Sequence, residues 1–362
     1  PDLEGQTLFL EAGQLEVAHD LAIDGDHDDD GTGVTVNGNL NGRVFLIGGQ
    51  GTQAELDDLR IAQGNVLDSH GGGILLGAGN ALTLDGCALL ENGALLEGAT
   101  NVNGGAVYAE SGSRLVVRDS VLGGNFCYGV GGAIATAAGV AVTVRDSELT
   151  QNAAYHSGGA IALTRGSRLV MERSSASAND AGNFYFGGGG ALAIHDSSAV
   201  VRASSFGVNQ ARQYGGAIDV RDGTLTLEHS TIASNVVQGR NGLGAGGGIV
   251  ARYGSEVTLT NATVTGNFAS YYSAYGIGEV GGGIASDGVL RLANSIVAGN
   301  FSGYAGLLSP GRLADDVSGA ISASNGRNLF GSTVEGAVAG DLEDVDPARI
   351  FAGLDPATGG GV

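Results

Sequence analysis

The stretch GGAIATAAGVAVTVRDSELTQN, residues 131–152, is followed after five residues by GGAIALTRGSRLVMERSSASAN, residues 158–179. Laid one over the other, they match glycine on glycine, Ile134 on Ile161, Ser147 on Ser174 and Asn152 on Asn179. Val142 and Val144 stand over Leu169 and Met171, with a polar residue between the members of each pair. Apolar residues two apart are the signature of a strand with one face buried, and the 3.6-residue period of a helix is missing. A recurring unit of this size, with glycine at a fixed place, is the mark of a solenoid.

Working outward, the closing asparagine recurs at Asn65, Asn92, Asn125, Asn152, Asn179, Asn209, Asn235, Asn267 and Asn300. The glycine pair recurs at Gly71, Gly104, Gly131, Gly158, Gly189, Gly215, Gly246 and Gly281. From the first glycine to the next asparagine takes 19 to 21 residues every time, whereas 5 to 13 residues separate an asparagine from the next glycine pair. A constant segment with a variable insertion at one point predicts stacked coils whose loops project from one corner. The alternating apolar pairs give three short strands per coil, hence an all-β, single-stranded parallel β-helix of about ten to eleven coils. Such a rod would be near 50 Å long. The chain reads as one domain, 1–362: irregular first coils over 1–55, regular repeats over 56–300, and a last coil and tail over 301–362. The tail from Gly353 to Val362 offers no evident cap, so we expect an open last edge and a longer parent protein.

Two polar columns follow from the stacking. The asparagines would lie along one corner and bond the same residue on the next coil. Five residues earlier a serine column runs through Ser120, Ser147, Ser174, Ser204, Ser230 and Ser295, with Cys87 and Ala262 in two of its places. Seven residues before the asparagine, Asp85, Arg118, Arg145, Glu172, Arg202 and Glu228 form an outward ladder of mixed charge.

Composition narrows the function. The 67 glycines with only four prolines exclude collagen-like and proline-rich chains, and 43% hydrophobic residues supply a core. A formal net charge of -21, with arginine as the sole basic residue, excludes a nucleic-acid partner. Cys87 and Cys127 fall at different repeat positions, so free thiols are expected rather than a disulfide. No apolar run is long enough for a transmembrane helix.

The runs TLTNATVTGNFAS at 258–270, GGGIASDGVLRLANSIVAGN at 281–300 and DDVSGAISASNGRNLFG at 315–331 resemble the right-handed β-helix repeat proteins of bacterial surfaces. These are related to polymorphic outer-membrane proteins and to anchor-bearing secreted proteins. The resemblance covers most of the chain and implies a right-handed coil and an extracellular or cell-surface setting. The group spans adhesins and polysaccharide-active enzymes. Its shared residues are structural, so it carries over no catalytic residue.

Function is therefore expected in the variable loops. Tyr128, Tyr155, Tyr185, Tyr214, Tyr271, Tyr272 and Tyr275, together with Arg240, follow corner asparagines and are the candidate ligand-binding residues. A tyrosine offers an apolar ring and a polar tip, which suits sugar rings in a polysaccharide. A protein partner would accept the same stripe, and loop packing is the competing structural reading. For a polysaccharide lyase or epimerase on this edge, Tyr155 and His156 would be base and acid, and Arg212 would neutralise a uronate. Asp180 and Asp219 lie near the stripe with no motif to single them out. A purely structural spacer is the third reading. Separately, Asp24, Asp26, Asp28 and Asp30 alternate ahead of Gly31, a pattern that can wrap calcium. It departs from the helix-loop-helix loop, since the twelfth position from Asp26 is Asn37.

Overall fold

The computed structural model describes residues 3, 5–26, 33–95, 102–182, 187–239, 244–271, 280–304 and 313–350. The chain coils as a parallel β-helix with four faces, built from sheets of 11, 11, 12 and 10 strands. One coil shows the plan: Val107–Ala109 on the first face, Arg114–Arg118 on the second, Val121–Gly123 on the third and Phe126–Cys127 on the fourth. Among the described residues every sheet pairing is parallel except one at the carboxyl-terminal end, where Leu313–Ala314 runs antiparallel to Phe301–Tyr304. The fourth face corrects the expectation of three strands per coil. Most of its strands are two residues long, too short to show an alternation.

The interior is a stack of aliphatic columns. Leu115 pairs with Val142, which pairs with Leu169, and all three are fully buried. Each glycine pair has a mechanical reason. Gly158 sits at φ +65°, a left-handed conformation that glycine adopts without penalty. A Cβ on Gly159 would collide with the Gly190 carbonyl oxygen of the next coil.

The asparagine column forms as expected from Asn92 onward. Each Nδ2 donates to the Oδ1 of the next member through Asn125, Asn152, Asn179, Asn209, Asn235, Asn267 and Asn300, at 2.8–3.1 Å including the final step to Asp316. Each also donates its backbone N–H to that same oxygen, as Asn179 does to Asn209 at 3.0 Å. Asn65 is not a member. Gly64 occupies the ladder position, its N–H donating to Asn92 Oδ1 at 2.9 Å, while Asn65 has moved one residue on to pair with Gly93. The serine column also forms, each Oγ accepting the N–H one coil back. Cys87 takes a serine place, donating its N–H to Ser120 Oγ and its thiol to Leu56 O. Both cysteines are free and buried, and burial pushes both thiols up to about 12.

Both ladders stop at an aspartate. Asp316 Oδ1 accepts the N–H and the Nδ2–H of Asn300, and Asp341 Oδ1 accepts the same two groups from Asn328, which ends the serine column. An ionised carboxylate only accepts, so it can end a chain of donors. The last coil is not open as expected. Ile321 and Phe330 are buried, and the segment through Glu335, Leu342 and Val345 bonds back onto it. At the other end Leu8 and Leu21 occupy core columns yet are 44% and 48% exposed, with nothing over them among the described residues.

Candidate functional site

The edge predicted from the loops begins on the fourth face. Tyr128 N–H donates to Ala94 O, Tyr155 to Cys127 O, Gly182 to Ala154 O, Arg212 to Ala181 O and Gln238 to Ala211 O. These five residues therefore occupy one column on five successive coils. Tyr128 and Tyr155 are neighbours in it, their ring centroids 5.4 Å apart. Phe126 meets Tyr128 edge-on at 5.1 Å and Tyr155 meets His156 edge-on at 5.3 Å, so the aromatic strip is continuous over four rings. Tyr128 packs on a small satellite core that includes Val66, Ala94, Cys127 and Ala154. Tyr155 is 41% exposed. Burial holds the His156 imidazole below its ordinary pKa, so it is neutral at neutral pH.

Arg212 lies two coils beyond Tyr155 and is engaged, bonding Gln238 Oε1 at 2.6 Å and Asp180 Oδ2 at 3.3 Å. Burial raises the Asp180 carboxyl although Arg212 opposes it. The structure thus joins Tyr155 to His156 and sets Arg212 apart from both. Tyr214 has turned the corner, where its backbone bridges Gly188 and Ala245. The backbone of Tyr271 pairs with Tyr304. The side chain of Tyr271, and all of Tyr185, Tyr272, Tyr275 and Arg240, lie outside the described residues. So do Asp28 and Asp30 of the acidic run. Asp24 ends a strand, its Oδ1 accepting the N–H of the buried Asp26 at 3.0 Å. Among the described residues no three His, Cys, Asp or Glu side chains come together as a metal site.

A second cluster, on the outer surface of the first face, was not foreseen as a site. Asp219 is 2% exposed. Arg252 Nη2 donates to its Oδ1 at 3.0 Å and its Oδ2 at 2.9 Å, and His195 Nε2 stands 3.4 Å from Oδ2. Burial pushes the Asp219 carboxyl up, but His195 and Arg252 outweigh it and hold the group below the usual carboxylate range. The Arg252 guanidinium lies 3.6 Å over the Tyr214 ring and 5.5 Å from the ring of Tyr253, which is exposed. Sequence spacing could not find this group, because its members come from three coils and from both sides of a corner.

Elsewhere a shallow groove of about 830 Å³ runs between the second and third faces. It is lined by Asp119, Asp146, Arg173 and the serine column, and Arg173 pairs with Asp146 at 2.6 Å. Coil after coil supplies the same bend there, so the groove is the shape of the repeat rather than a built pocket.

No curated protein and no solved structure matches the chain. The family model for the right-handed β-helix region matches residues 99–301, more than half the sequence. That match spans the glycine pairs from Gly104 and the asparagine ladder from Asn125 to Asn300. With four parallel faces and a buried polar ladder already in place, the chain belongs to the right-handed β-helix family.

Proposed function

We propose that the protein binds an extended polysaccharide along the fourth-face edge, serving attachment or presentation at a bacterial surface. The observation that carries this reading is the packing of an exposed Tyr155 against Tyr128 of the adjoining coil, the two rings tilted by 40°. Aromatic rings fixed at strand spacing on a rigid rod lose little entropy when a ligand lies on them. The lyase reading on this edge has less support, because Arg212 is already held by Gln238 and Asp180 and is not free for a uronate. The spacer reading leaves the exposure of Tyr155 without a purpose.

The test is retention on a panel of immobilised neutral and acidic polysaccharides, with ultraviolet absorbance recorded for unsaturated products. Binding should strengthen with oligosaccharide length and produce no unsaturated ends. Tyr155→Ala should weaken it by roughly fivefold, about 1 kcal/mol of ring contact, with the melting temperature unchanged. Failure to retain any polysaccharide, together with a lowered melting temperature in Tyr155→Ala, would leave the ring as loop packing.

A further inference from the structure

The repeat supplies its own control for Asp219. The outward column it occupies on the first face reads Ala135, Ala162, Ala193, Asp219, Val250 and Ala285 on six successive coils. Those five companions are buried. Farther along, the column carries Tyr108 and Leu75 on one side and Ser318 on the other, so alanine and valine are the rule only on the coils nearest Asp219, where Gly188 of the coil before leaves room for its carboxylate. A Cβ on Gly188 would collide with the Asp219 carboxylate. A buried ion pair set where an apolar residue serves elsewhere is weak support for stability. Buried charge of that kind, held outside the core and next to a corner, points to a ligand.

The groups around it define the ligand's chemistry. Asp219 is satisfied by Arg252 and His195, and an ionised carboxylate only accepts, so His195 Nε2 carries the proton. In the neutral ring Nδ1 is a lone-pair acceptor, and the ring is partly exposed. Arg252 Nε is a buried donor with no partner. Tyr253, whose ring lies 4.9 Å from the Arg221 guanidinium, is an exposed platform beside them. Donor, acceptor and ring face together match a sugar ring with hydroxyl groups. The charge is equally informative. Asp219 and Arg252 neutralise each other, exposed Asp196, Asp222 and Asp287 border the cluster, and the chain carries -21. An anionic polymer would meet repulsion here.

We propose that Asp219, His195, Arg252 and Tyr253 form a subsite for one uncharged sugar ring, which makes the polysaccharide a neutral one. The inference rests on the binding reading above and narrows it.

The experiment compares the wild-type chain, Tyr155→Ala and the double variant Asp219→Ala/Arg252→Ala on neutral glucans, xylan and polygalacturonate. Asp219→Ala restores the residue type of the neighbouring coils, and removing Arg252 with it leaves neither partner of the ion pair unpaired. The expected result is retention on a neutral polymer and not on polygalacturonate, an affinity loss of about tenfold in the double variant, and a melting temperature no lower than wild type. His195→Gln, which keeps a polar side chain, should lose part of the affinity. A double variant that binds like wild type overturns the subsite while Tyr155→Ala still tests the edge. A double variant that loses stability and binding together makes the pair a structural bridge. Preference for polygalacturonate overturns the neutral assignment alone. A wild-type chain that retains no polymer ends both this inference and the reading beneath it.

Discussion

Asn209 and Arg202 stand seven residues apart on one coil, and each belongs to a polar column running along the rod. Both columns recur at the same spacing in the sequence, yet they sit in different physical worlds. Asn209 is fully buried, accepts two hydrogen bonds from Asn179, and donates to Asn235 Oδ1 and to Ala176 O, each at 2.9 Å. Arg202 reaches over an open face to Glu228 at 2.8 Å and to Glu172 at 3.7 Å. A buried amide that loses its partner keeps its whole desolvation penalty, whereas an exposed ion exchanges its partner for water. Burial, not regularity, decides which column holds the coils in register.

The comparison breaks most readily at its buried member. Asn179→Leu removes the acceptor for the N–H and Nδ2–H of Asn152 and the Nδ2 donor to Leu149 O and Asn209 Oδ1. We expect a loss of about 1–3 kcal/mol in denaturant unfolding. An unchanged midpoint would mean that the ladder is ornament on a rod held by its aliphatic columns.

The ladder's end sharpens the same contrast. Asp316 Oδ2 is buried with no partner, and burial raises this carboxyl above its ordinary value. In the other members of the ladder the corresponding atom is Nδ2, which donates to a carbonyl as Asn300 does to Val264 O. The folded state therefore holds the Asp316 proton more firmly than the unfolded chain. Its contribution is greatest below the ordinary carboxylate pKa and declines as pH rises through the raised value. Asp316→Asn should flatten that decline and stabilise the protein at neutral pH by about 1 kcal/mol, one buried hydrogen bond. Melting curves recorded from mild acid to neutrality would show it, and a variant that melts lower at neutral pH would refute it. Asp341, which accepts from Asn328, Ser324 and Val338, is shifted the other way despite some desolvation. Its contribution is present above the ordinary pKa and is lost as pH falls through the lowered value.

The smallest effect belongs to the outer column. Replacing Arg202 and Glu228 together by alanine should change stability by no more than ~1 kcal/mol, and added salt should erase even that. A larger loss would promote the surface ladder to a structural element.

What the repeat made plain was the part that depends on one coil resembling the next. The pairs Val142 and Val144 and Leu169 and Met171 announce an inward strand, and the recurring asparagine announces a corner. Asn65 shows where that stops. It keeps the spacing to its glycine pair, but pairing with Gly93 displaces it by one residue, and Gly64 takes the ladder place. Register is a property of two coils, and no single repeat contains it. The fourth face escaped for a related reason, since Phe126–Cys127 is a strand only because Gly93–Leu95 and Ala153–Ala154 flank it.

The same division holds for the sites. That tyrosines gather after the corner asparagines is written in the chain, and for Tyr128 and Tyr155, equal distances from equal corners sufficed to make them neighbours. Whether Tyr214 joined them was decided by the corner itself, which carries its ring beneath Arg252 instead. His195, Asp219 and Arg252 stand 24 and 33 residues from one another along the chain, at column positions where other coils carry ordinary residues. A solenoid, its interior columns and its polar corners are legible in the chain, because short-range periodicity repeats in every coil. Which unlike side chains meet is a matter of stacking, because a coil lies on its neighbour at strand spacing whatever the length of the loop that separates them.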